Sequence, residues 1–136
     1  MILELWDRTV IGWAFSEDLE AGHVGDALMT ACMNRKPGRG LLFHSDRGVP
    51  YCSKEFREML SAWCPQVRQR MSRKGNCAER FFKTLKAEVD KVEGSHTKEE
   101  VRVEVCEYME LYYNKRRRDT AIGYALPIAL THYNTA

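Results

Sequence analysis

The sequence is poor in several residue patterns, and each shortage removes a class of protein. Nine Gly and four Pro among 136 residues are too few for a collagenous or low-complexity chain. No apolar run comes near the roughly 20 residues that cross a bilayer, so no membrane partner is expected. The opening stretch, Met1 to Trp6, has no basic segment ahead of an apolar core and does not read as a secretory signal. A cytoplasmic setting is the expectation. The cysteines, Cys32, Cys52, Cys64, Cys77 and Cys106, are odd in number and no two form a C-x-x-C pair. Reduced thiols, some of them buried, are therefore expected. The histidines, His23, His44, His96 and His132, are scattered without an H-x-x-x-H spacing, so zinc is not expected.

What is present is the balance of a globular protein: 44% hydrophobic and 29% charged residues. The length suits one domain of ordinary size. The formal net charge of +2 hides an asymmetry. Residues 1–64 hold 7 Lys/Arg against 9 Asp/Glu, and residues 65–136 hold 14 against 10. Between positions 68 and 86 stand seven bases (Arg68, Arg70, Arg73, Lys74, Arg80, Lys83, Lys86) and one acid, Glu79. A second basic run, Lys115-Arg116-Arg117-Arg118, follows an aromatic stretch. Such local density attracts a phosphate backbone through counterion release. A solvated face and a charged turn would carry the same charges.

Strand and helix signals alternate along the chain. Ile2–Leu5 and the β-branched and aromatic run Thr9–Phe15 read as a hairpin. Residues from about Leu19 to Arg35 read as a helix with Leu19, Val24, Leu28 and Ala31 near one face, weakened by Gly22 and Gly25. Leu41–His44, bounded by turn signals, reads as a short buried strand. Ser53 is a good N-cap for a helix whose Phe56, Met59, Leu60 and Trp63 repeat at helical spacing until Pro65. Gln66–Met71 suits another short strand. Asn76 opens a helix holding Phe81, Phe82 and Leu85. Thr97 caps the last long helix, with Val101, Val105, Tyr108 and Tyr112 on one face. The tail from Thr120 has no clear period. The alternation implies the α/β class.

Two acids stand where chemistry could sit. Asp46 follows the Leu41–His44 strand directly, in Ser45-Asp46-Arg47-Gly48, and strand ends of α/β folds are where ligands collect. A carboxylate there suits a hard divalent cation, and it equally suits a plain Asp-Arg-Gly turn. Glu79 is the lone acid of the basic stretch. The spacing Asn76-x-x-Glu79 also resembles a capping box, with Asn in place of Ser or Thr.

Five runs appear in order: Val10–Trp13, Leu42–Gly48, Met71–Cys77, Ala78–Lys86 and Tyr113–Arg118. Together with Ala121–Tyr124 and Pro127 they strongly resemble the integrase-core region of bacterial insertion-sequence transposases of the second-open-reading-frame (orfB) type. The resemblance runs from about Ile2 to Leu130. It implies an RNase H-like mixed sheet flanked by helices and DDE chemistry, in which three carboxylates hold two Mg²⁺ or Mn²⁺ ions for strand cleavage and transfer. Asp46 matches the second catalytic acid and metal ligand, and Glu79 the third. Arg47, Arg73, Lys74, Arg80, Lys83, Lys86, Lys115, Arg116, Arg117 and Arg118 would then contact DNA, at element ends and target.

The sequence departs from that pattern in ways that shape the expectation. The family's first Asp lies on a strand upstream of the segment matching Ile2–Trp6, and neither Glu4 nor Asp7 matches it. The expectation is thus a single truncated core over residues 1–136, lacking its first strand and inactive alone. It is completed by homo-oligomerisation or by another transposase chain. A short Trp-Asp-Asn-containing stretch that the family has before Ala78 is missing, Asp119 replaces a His, and Pro50 replaces a polar residue. Metal binding by Mg²⁺ or Mn²⁺ is implied, with none held by this chain alone as the other outcome. The alternative function is a non-catalytic nucleic-acid-binding or interaction remnant.

Overall fold

Small side chains and a capped helix set the first layer of the structure. The structure is a computed structural model, and it describes residues 1–16, 21–71, 77–89 and 97–131. The backbone divides into two compact units, one of Met1–Ile2 and Ile11–Asn76, the other of Leu3–Val10 and Cys77–Ala136. Strands β1 (Ile2–Leu3) and β2 (Val10–Gly12) form the expected hairpin, shorter than the apolar run that announces it.

In the first unit, α1 (Ala21–Asn34) packs on α3 (Lys54–Trp63). The Ser53 hydroxyl accepts from the Phe56 N–H at 3.1 Å, so the cap read from the sequence is made. That cap starts the helix at the register that buries Phe56 and Leu60, which join Leu28 and Cys64 in the core. Phe43 and Tyr51 bring their rings to 5.7 and 5.6 Å from that of Phe56. Two glycines of this unit serve contact. A Cβ on Gly12 would stand 2.7 Å from the Ala31 Cβ and would clash with the Ala27 carbonyl, so β2 lies directly on α1. On Gly25 it would stand 2.6 Å from the Met59 sulfur, so the residue that weakens α1 as a helix lets α3 approach it.

Strands β3 (Leu42–Ser45) and β4 (Arg68–Met71) pair in parallel, from Leu42 opposite Arg68 to Ser45 opposite Met71. A parallel pair needs a crossover, and the one-turn helix α2 (Val49–Cys52) followed by α3 provides it. The expectation of a buried β3 is corrected. Phe43 and Ser45 face inward, whereas Leu42 is 42% exposed and His44 lies on the same outer face. Among the described residues only β4 pairs with β3, and the alternation of the strand sends its two sets of side chains to opposite faces. Two of the cysteines, Cys32 of α1 and Cys64 after α3, bring their sulfurs together in the first unit. Their separation of 32 residues hides them from any local spacing rule. Cys52 and Cys106 are free.

In the second unit, α4 (Cys77–Val89) buries Phe81 and Leu85. The Phe81 ring lies 4.7 Å from Tyr113 and 6.3 Å from Tyr108, edge to face. Helix α5 (Lys98–Glu107) begins with the full capping box of Thr97 and Glu100. It runs on into a π-helical segment, Tyr108–Tyr113. This widening corrects the expected face. Bonds now close over five residues, as from the Asn114 N–H to the Met109 carbonyl at 3.2 Å. Tyr113 is therefore the buried residue of this turn, 4% exposed, whereas Tyr112 is 41% exposed and keeps its ring 5.4 Å from that of Tyr108. The tail forms a 3₁₀ turn, Thr120–Ile122, and a short helix α6 (Pro127–Thr131) that buries Pro127. The mixed α/β class stands. Among the described residues no helix is long and apolar enough to cross a membrane.

Candidate functional site

Asp46 leaves the end of β3 and enters a tight loop. Its Oδ1 accepts from the Gly48 N–H at 2.8 Å, an Asx turn that feeds the chain into α2. The turn reading of Asp-Arg-Gly is therefore realised, and the carboxylate remains exposed. Tyr51 lies beside it: burial first, and the Asp46 charge second, push the Tyr51 phenol above its ordinary value. The loop is held from below by Gln69 of β4. Its Nε2 donates to the Ser45 hydroxyl at 3.1 Å and to the Tyr51 carbonyl at 3.0 Å, tying together the residues on either side of the turn. Sequence reasoning missed Gln69. Its only signal was a polar residue inside a predicted strand.

Glu79 sits in the first turn of α4, where a carboxylate complements the helix dipole. It is exposed and lies 3.6 Å from the Lys83 ammonium one turn on. Asn76, its expected capping partner, lies outside the described residues, as do Arg73 and Lys74. Arg80, Lys83 and Lys86 are exposed along α4 while Phe81 and Leu85 are buried, so this helix presents cations to solvent. Arg47 is likewise exposed in the Asp46 loop.

The run after the π segment divides by role. Lys115, Arg116 and Arg118 are exposed. Arg117 is partly buried, stands 5.4 Å from the centre of the Tyr113 ring and lies 3.7 Å from the Asp119 carboxylate. The structure therefore engages Arg117 in packing its own unit. Asn114, just before the run, is the second residue that sequence reasoning left without a role. Its Oδ1 accepts from the Val10 N–H at 2.9 Å and its Nδ2 donates to the Val10 carbonyl at 3.0 Å. The side chain acts as a neighbouring strand would.

Asp46 and Glu79 each offer hard oxygens of the kind a Mg²⁺ or Mn²⁺ ion takes. Among the described residues, however, no group of three or more His, Cys, Asp or Glu side chains comes together for one metal. One oxygen of Asp46 already serves its turn. The described residues do not by themselves compose the donor set of a two-metal centre.

The comparisons with known proteins bear on what these two acids and the cations beside them belong to. The integrase core domain family matches residues 1–77. Transposase InsF for insertion sequence IS3A of Escherichia coli (strain K12) is 36% identical over 143 residues, covering 100% of this chain and 48% of that protein. The transposase for insertion sequence element IS904 of Lactococcus lactis subsp. lactis (strain IL1403) is 32% identical over 138 residues, covering 98% of the chain and 54% of that protein. The chain thus spans about half the length of these relatives. No solved structure matches it. Asp46 and its loop fall inside the matched 1–77 segment, and Glu79 with the basic runs falls inside the longer alignments. On that match, which takes in more than half of its residues, the chain belongs to the integrase core domain family and is similar over its length to insertion-sequence transposases.

Proposed function

We propose that this chain works on DNA as part of an insertion-sequence transposase, with an RNase H-like core in which Asp46 and Glu79 are the second and third acids of the DDE set. The reading rests above all on the ordered motifs, which set Asp46 just past a strand end and Glu79 in the first turn of a cation-bearing helix. Arg47, Arg73, Lys74, Arg80, Lys83, Lys86, Lys115, Arg116 and Arg118 hold phosphates and so orient the duplex, and Arg117 contributes through its neighbours. Strand cleavage and transfer need a complete acidic set. This chain reaches it in a homo-oligomer or with a second transposase polypeptide, acting as a single core domain in the cytoplasm. The divalent ion, Mg²⁺ or Mn²⁺, supplies Lewis-acid chemistry when the assembly binds it.

A binding-only reading is favoured by the engagement of both acids in local structure, Asp46 with Gly48 and Glu79 beside Lys83. Nicking of element-end DNA separates the two. Under the transposase reading, metal-dependent nicking by the assembled protein disappears in both Asp46→Ala and Glu79→Ala. Equal nicking by the wild type and both variants would sink it. Salt-sensitive DNA affinity without any nicking, weakened by Arg80→Ala and Lys83→Ala, would instead select the binding reading.

A further inference from the structure

Among the described residues, Tyr124 is one of two non-glycine residues with a positive φ, at 61°. Large side chains avoid this left-handed region, and one held there points to a use that outweighs the strain. The loop around it is firmly built. The Tyr124 N–H donates to the Asp119 carbonyl at 2.9 Å, and the Asp119 N–H donates to the Ala125 carbonyl at 3.2 Å. The Asp119 Oδ1 accepts from the Ala121 N–H at 2.8 Å, and the Gly123 N–H closes on the Thr120 carbonyl at 3.3 Å. Arg117, through Asp119 and the Tyr113 ring, ties this loop to the aromatic core of its unit.

All that rigidity presents the ring to solvent. Tyr124 is 64% exposed, whereas Tyr113 and Tyr108 of the same unit are buried. The bridge between Asp119 and Ala125 sets Arg118 and Tyr124 each one residue from the paired backbones. Arg118 is exposed, and so are Lys115 and Arg116 just before it. A firmly held, exposed aromatic face a few residues along the chain from exposed cations suits an unpaired nucleobase and its phosphates. In a duplex the base faces are covered by stacking, so the ring has no partner there until a base is freed.

We propose that Tyr124 is a stacking platform for an unpaired base of single-stranded DNA, with Lys115, Arg116 and Arg118 holding the adjoining phosphates. This rests on the DNA-binding reading above and adds a contact that reads strand separation. The test uses the full chain, a single strand of about 12 nucleotides, within the usual site sizes, and the matching duplex, both followed by fluorescence anisotropy over a salt series. Tyr124→Asn is the chosen variant, because Asn tolerates the left-handed region and keeps the loop folded. It should lower single-strand affinity by about 5- to 100-fold with the salt slope unchanged and duplex affinity little altered. Tyr124→Trp should keep single-strand affinity. Neutralising Lys115, Arg116 and Arg118 should weaken both DNAs and flatten the slope by about 0.7 per lost phosphate contact on the single strand. Single-strand affinity of Tyr124→Asn within twofold of wild type overturns the platform, as does an equal loss on both DNAs with a flatter slope. Wild type without salt-sensitive affinity for either DNA overturns the DNA reading itself, a different result.

Discussion

Val10 and Gly12 stand two residues apart on one short strand and are secured by opposite means. Gly12 is held by the absence of a side chain: Ala27 and Ala31 of α1 come so close that a Cβ has no room. Val10 is held by a polar group, the Asn114 amide, which answers its N–H and its C=O together from 104 residues away. The first contact asks only for small residues on both sides and tolerates small shifts along the helix. The second needs one amide in one place, because a buried backbone group left without a partner is costly. Apolar contact is forgiving in partner and strict in volume. The polar clamp is the reverse.

Three changes sharpen that contrast. Asn114→Leu keeps the bulk and strips both hydrogen bonds, so it should cost about 2–5 kcal/mol in urea unfolding and speed amide exchange at Val10. Exchange at Val10 as slow as in the wild type would mean that the clamp is not what protects this residue. Gly12→Ala should cost about 1–3 kcal/mol by overpacking, read by thermal unfolding, with exchange at Val10 affected less than by Asn114→Leu. A Gly12→Ala protein as stable as the wild type would show that α1 can shift away. The smallest effect at neutral pH belongs to Tyr108, whose phenol is pushed up to about 12 by burial, with Glu88 adding to it. Its folded value lies above the ordinary 10.0, so the stability it confers is complete below pH 10 and is lost as pH rises toward 12. Tyr108→Phe should remove that alkaline loss, and it should not destabilise the protein at pH 7, since the hydroxyl it deletes is buried without a hydrogen-bond partner. An unchanged alkaline transition would assign the loss to another group.

The same contrast decides how much could be read in advance. Ser53 and Thr97 were recognisable as caps because a cap involves only the next few residues, and both are made. The burial of Phe56 and Leu60 followed from helical spacing. Tyr112 was misplaced because a helical period was carried through a segment that closes over five residues instead of four. Leu42 was misplaced because apolar character does not say whether anything covers a strand. For the candidate site, Asp46 at a strand end and Glu79 in a helix first turn were both legible. Gln69, which ties Ser45 to Tyr51 beneath the Asp46 loop, was not, because its two partners come from other elements.

By itself the sequence determined the helix starts, the alternation of elements, the concentration of cations after residue 65 and the motifs that carry the family. Those depend on interactions spanning a few residues, or on composition alone. Only the tertiary structure decided that Cys32 meets Cys64, that Asn114 completes β2, that Arg117 packs on Tyr113 while Arg118 faces solvent, and that Tyr124 is held exposed in a strained turn. Each of these depends on distant segments being brought together, and the energy of such a contact exists only once the chain between them has closed.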